Sequence, residues 1–186
     1  MGQVPGLVLI AMAMQHLRRA ARSAVATGPA TAGDWLGAVR RYLAVIAAGN
    51  LLWEFAQLPL YTIWYEGSAN EILFAVAHCT GGDVLIASMA LLGALMLAGE
   101  PHWPQARFHA VAALAIFGGL AYTVFSEWLN TEIRGSWAYT EAMPQLPLVG
   151  AGISPLAQWI VVPLIAFWWA SRSSRFQPAK EPTHVQ

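Results

Sequence analysis

The sequence predicts an all-α membrane protein, a four-transmembrane-helix antiparallel bundle, and three observations predict it. Of 186 residues, 57% are hydrophobic and 11% charged, whereas soluble domains carry about 25% charged residues. Four apolar stretches each supply the roughly 20 residues that a helical crossing needs. Between them stand short breakers: 66–70, 100–104 (EPHWP) and 130–147.

The chain opens with an apolar run, 4–14, followed by His16, Arg18, Arg19 and Arg22. A secretory signal places its positive residues ahead of the apolar run. Residues 1–34 are therefore expected to form a poorly ordered or interfacial lead-in. The first span is expected at 36–65, after Asp34 as helix N-cap. Arg40 and Arg41 would snorkel at its start, and Trp53, Tyr61, Trp64 and Tyr65 suit an aromatic belt toward its end. Asn50, Glu54 and Gln57 follow at intervals of four and three, which puts them on one helical face. Pro59 is expected to kink the helix one turn later and free a carbonyl near that face.

A short loop containing Gly67 returns the chain antiparallel into the second span, 71–99. This span carries His78, Cys79 and Asp83 around Gly81 and Gly82. An aspartate deep in hydrocarbon costs about 2.5–3.5 kcal/mol on insertion scales, so it calls for a partner. His78 and Asp83 stand about 140° apart on a regular helix. The glycine pair would either unwind the helix and bring them together, or let a neighbouring helix pack closely.

The third span is expected at 106–128, with Gly118, Gly119 and Ala121 allowing close backbone approach and Glu127 and Asn130 at its end. Residues 130–147 mix Glu132, Arg134 and Glu141 with Trp137, Tyr139 and Met143. That mixture predicts a structured outer loop folded over the bundle mouth. The fourth span, 148–170, holds Pro155, Pro163, Trp159, Trp168 and Trp169, and 171–186 reads as a polar tail.

Nine of the ten Lys and Arg residues fall on one side of this arrangement and Arg134 alone on the other. The positive side is expected to be cytoplasmic, so both termini should be cytoplasmic in a bacterial-type inner (plasma) membrane, with the acidic loops outside. Zero formal net charge leaves no basic surface for nucleic acid. The single cysteine, Cys79, excludes an internal disulfide and a Cys-rich metal knuckle.

At about 1.5 Å of rise per residue, Glu54, His78, Asp83 and Glu127 converge on the outer half of the bundle. These four are the expected catalytic residues. Asn50, Gln57, Asn130, Trp53, Trp128 and Arg134 are the expected substrate-binding residues, and Trp137 and Tyr139 are expected to help roof the pocket. His78, Asp83 and Glu54 are also the candidate ligands of a divalent metal, although neither H-E-x-x-H nor C-x-x-C is present. Two unpaired carboxylates in the membrane would cost about 5–7 kcal/mol, and helix packing normally uses cheaper Ser, Thr, Asn or Gln. Ionisable groups retained there favour function.

The reading that follows is an intramembrane enzyme using acid–base or metal-assisted chemistry on a lipid-like or small apolar substrate. The alternative is a non-enzymatic accessory or assembly subunit of a membrane complex, or a small transporter. The expected partners are the lipid bilayer, that ligand, and a second copy or another membrane protein.

Overall fold

The computed structural model describes residues 32–98 and 103–172. The lead-in expected at 1–34 and the tail expected at 171–186 fall almost wholly outside the described residues. Four long helices carry the fold: α1 (Ala32–Gln57), α3 (Ala69–Ala98), α4 (Phe108–Trp128) and α5 (Ile153–Ser171), with a one-turn helix α2 (Ile63–Glu66) between the first two. The four apolar segments built on them, Trp35–Leu60, Ala69–Ala98, Phe108–Ile133 and Ile153–Ser171, are long and apolar enough to cross a membrane. Leu52, Phe74, Leu85, Met96, Leu97, Phe117 and Leu164 all point outward and are exposed. Apolar surface repeated on every helix is what a lipid-facing bundle presents.

The helix ends have local causes. At the head of α3 the Ser68 hydroxyl donates to Glu71 Oε2 at 2.7 Å and accepts from the Glu71 backbone N–H at 3.4 Å, while the Ser68 N–H donates to the same carboxylate at 2.8 Å. This reciprocal capping box starts the helix. Helix α1 already runs at Ala32, ahead of Asp34, so Asp34 is not its N-cap.

Pro59 does not kink a continuing helix. The α-helix stops at Gln57, a 3-10 turn covers Leu58–Leu60, and Tyr61 is extended. A proline ring clashes with the preceding turn and has no N–H to continue it, so the span ends there, short of residue 65. At the other boundary, α4 continues beyond Trp128 as a π-helical turn, Leu129–Ile133. Helix α5 begins at Ile153, after the residue 148 start expected, with Pro155 in its first turn where a missing N–H costs nothing.

The half of the bundle built from the start of α1, the end of α3, the start of α4 and the end of α5 is closely packed. Its core includes Ala38, Ile46, Ala87, Ala94, Ala115, Ala166 and Ala170. The Tyr42 ring lies 4.7 Å from that of Phe167, and Phe108 meets Phe167 edge-on at 5.9 Å. A Cβ on Gly49 would sit 2.8 Å from Val162 Cγ1, and one on Gly119 would run into the Trp159 ring. Close approach on α4 therefore falls to Gly119, whereas Gly118 and Ala121 are exposed.

The segment after the π-turn lies across the end of α1. The Thr62 N–H donates to Ala138 O at 3.0 Å and the Thr140 N–H to Leu60 O at 2.9 Å. The Tyr61 and Tyr139 rings meet at 5.4 Å. Carbonyls exposed by the break at Pro59 thus find their donors in this strap. A turn closed by the Gly150 N–H on Leu146 O, with Gly150 at φ +65°, then leads into α5.

Candidate functional site

The opposite half of the bundle is built differently. Here the end of α1, the first half of α3, the end of α4 and the start of α5 enclose a cavity of about 350 Å³. Its wall includes Glu54 from α1, Asp83 from α3 and Glu127 from α4.

Gln158 of α5 is the centre of the polar wall, although the sequence reading did not single it out. It is 2% exposed. Its Nε2 faces three acceptors with two hydrogens to donate: Asn50 Oδ1 at 2.9 Å, Asp83 Oδ2 at 3.0 Å and Glu54 Oε1 at 3.1 Å. Its Oε1 accepts from Gln57 Nε2 at 3.3 Å, and the same Gln57 nitrogen reaches Glu54 Oε1 at 3.0 Å. Gln57 Oε1 in turn accepts from the Ser154 hydroxyl at 2.9 Å, and Ser154 accepts from the Trp53 indole N–H at 3.2 Å. Asn50, Gln57 and Gln158 each take part in this chain of hydrogen bonds, as burial in an apolar bundle demands.

A second polar group closes the cavity. The Tyr139 hydroxyl donates to Glu127 Oε2 and accepts from the Gly152 N–H at 3.0 Å, tying the strap to α4 and to the start of α5. Burial, then the hydrogen bond to Glu127 and its charge, push the Tyr139 phenol above its ordinary range. The neighbouring Tyr61 phenol is raised by burial and then by Glu127. Both remain O–H donors through neutral pH. The Trp137 indole nitrogen is buried beside the Glu127 carboxyl, and its side chain contributes to the cavity wall.

The expected residues separate into groups. Glu54, Asp83, Glu127, Gln57, Asn130, Arg134 and His78 line the cavity. Asn50 is buried behind Gln158 and is not on the wall. Trp53 is spent on Ser154, and Trp128 is exposed with its ring beside Phe125; neither lines the cavity. The sequence places both near the mouth, but helix rotation turns them away from it.

Helix α3 passes through Gly81 and Gly82 without a break, and a Cβ on either would meet nothing within 4 Å. The pair therefore neither unwinds the helix nor seats a neighbour. His78 consequently stays apart from the Asp83 face, exposed and stacked on Phe74 at 5.5 Å. Glu54 and Asp83 come together through Gln158; His78 joins only the rim. Among the described residues no group of three or more His, Cys, Asp or Glu side chains is arranged to hold a metal ion, so His78, Asp83 and Glu54 do not form a ligand set.

A signal for Gln158 and Ser154 was present in the sequence: two polar residues four apart in the fourth span, at the depth of Asn50 and Glu54 in the first. Comparison of the chain with family models, with curated proteins and with solved structures finds no match in any of the three.

Proposed function

We propose that this multi-pass membrane protein is an intramembrane enzyme performing acid–base chemistry on a lipid-like or small apolar molecule held in the cavity. Glu54, Asp83 and Glu127 are its proton-carrying groups. The observation that carries this reading is a single cavity of about 350 Å³ whose wall takes a carboxyl side chain from each of three helices. That volume lies at the lower end of the range for small-molecule sites, about 300–1,000 Å³, and Leu58, Val76, Ile86 and Trp159 give it apolar surface. Proton transfer by positioned carboxyl groups contributes about 10²–10⁴-fold to a rate. Asn130 and Arg134 would meet the polar end of the occupant, and His78 at the rim would exchange protons with solvent. The Lys and Arg asymmetry orients this end away from the cytoplasm, with both termini cytoplasmic.

The test is the content of the cavity. Protein purified in lipid nanodiscs is extracted and its bound small molecules identified by mass spectrometry, beside Glu54→Gln, Asp83→Asn and Glu127→Gln. The expected result is a retained apolar molecule in wild type that is chemically converted over time, with conversion lost in the variants. An empty cavity together with a membrane protein co-purifying at fixed stoichiometry would overturn the enzyme in favour of an accessory subunit. Cysteine labelling at Glu66 and Glu132 checks the orientation, which fails if both sites react only from the cytoplasmic side.

A further inference from the structure

We propose that Gln158 holds Glu54 and Asp83 as a carboxyl pair sharing one proton, and that Gln158 is the positioning residue of this pair. The argument begins with a count of hydrogens. A side-chain amide nitrogen carries two, yet Gln158 Nε2 faces three acceptor oxygens, on Asn50, Asp83 and Glu54, all at 2.9–3.1 Å. Exchanging the nitrogen and oxygen of Gln158 removes the donor from all three and sets its nitrogen against Gln57 Nε2, which already donates to Gln158 and Glu54. The orientation is therefore fixed, and the two hydrogens of Gln158 together with the two of Gln57 give each of the four acceptor oxygens one, all from neutral donors.

Neutral donors leave two acidic groups in one buried site. Glu54 and Asp83 converge on the same amide nitrogen, at 3.1 and 3.0 Å. Ionised carboxylates only accept, so two of them bond to one another only across a proton. Neither has a cationic partner among the described residues, and the titratable groups facing them, Cys79, Tyr61 and Glu127, bring no positive charge. One proton held between the carboxyls removes the repulsion of two like charges in one site. Asn50, 3% exposed, and Gln57, 5% exposed, then hold the outer atoms of the group.

Glu54, Asp83 and Gln158 all line the cavity, so the shared proton is within reach of an occupant. In transfer, the O–H bond breaks, its electron pair stays on the carboxylate and the proton bonds to a basic atom of the occupant; the reverse step restores the pair. This use rests on the acid–base reading of the cavity, whereas the shared proton itself is argued from two carboxyls converging on one buried neutral amide with no cation beside them.

Infrared difference spectroscopy on the reconstituted full chain tests it. The chain has two aspartates, Asp34 and Asp83, so carboxyl ¹³C labelling of aspartate reports on very few groups without any substitution. The expected result is a carboxylic-acid C=O band, sensitive to D₂O, that moves with aspartate label and also with glutamate label. It should vanish in both Asp83→Asn and Glu54→Gln. In Gln158→Leu that melts cooperatively the band should shift, whereas a purely structural glutamine would lower the melting temperature and leave the band in place. A wild-type spectrum with no band responding to aspartate label overturns the proposal, as does a band unchanged in both carboxyl variants. Should the leucine variant fail to fold, Gln158→Asn, which keeps the amide on a shorter arm, gives the same readout. A missing band leaves the cavity-content experiment untouched, and a band in a protein with an empty, inert cavity retains the pair while sinking the enzyme.

Discussion

The two halves of the bundle are made from the same four helices and differ in what the helices place between them. In one half, Ala38, Ile46, Ala87, Ala115 and Ala166 let the backbones close on the contacting rings of Tyr42, Phe108 and Phe167. In the other, the interior holds Asn50, Glu54, Gln57, Asp83, Glu127 and Gln158 around an open cavity. A void forfeits dispersion contacts and a buried polar group must be hydrogen-bonded or costs about 1–3 kcal/mol. The closely packed half offsets those costs, leaving the other free to keep both space and polarity.

The largest expected effect is in the packed half. Phe167→Ala removes the ring on which Tyr42 and Phe108 rest and should cost about 3–5 kcal/mol of unfolding free energy. Glu54→Gln, which keeps an acceptor oxygen for Gln158, should change stability by about 1 kcal/mol or less. Reversible unfolding in mixed micelles measures both, and equal losses would break the contrast between the halves.

Gln158→Leu comes next. It deprives buried oxygens of Asn50, Asp83 and Glu54 of their common donor, for about 1–3 kcal/mol. A leucine variant as stable as wild type in the same unfolding assay would mean the polar wall is not held by this amide.

Tyr139→Phe sharpens the comparison at the strap. It removes the donor to Glu127 and the acceptor of the Gly152 N–H, worth about 1–2 kcal/mol locally. Amide exchange at Gly152 should then speed up by about 5–30-fold, with no change at Phe167. In wild type the phenol's raised ionisation means this tie is complete below the ordinary tyrosine value of about 10 and is lost only as pH climbs through the higher one. Exchange at Gly152 that accelerates already at neutral pH would contradict it.

The smallest effect is at Ser68→Ala. Loss of the capping box should cost about 0.5–2 kcal/mol and lower the melting temperature while leaving the cavity's content unaltered. A change in that content would show that the wall depends on the head of α3.

Much of the polar half could be read from the chain because each of its residues interrupts an apolar helix. Asn50, Glu54 and Gln57 share a face at helical spacing, and Asp83 needs a partner wherever it lies. Other features depended on rotation and neighbours. Gly81 and Gly82 look like a hinge or a contact in one dimension, yet they belong to a regular helix, Gly81 exposed and Gly82 on the cavity wall. Trp53 and Trp128 have the right depth and the wrong azimuth. Gln158 stands four residues from Ser154 in its span, yet nothing local reveals that Asn50, Glu54, Gln57 and Asp83 all reach it.

By itself, the sequence determined the four apolar helices, their breakers and the depth at which carboxyl groups occur, because hydrocarbon thickness and backbone hydrogen bonding restrict what can cross a bilayer. The tertiary structure decided which polar groups meet. It set the rotation of α5 that brings Gln158 between Glu54 and Asp83, left His78 on the rim, and laid Tyr139 of the strap onto Glu127. Depth is a property of one helix and its spacing, whereas azimuth is settled by the packing of Gly49 against Val162 and of Gly119 against Trp159.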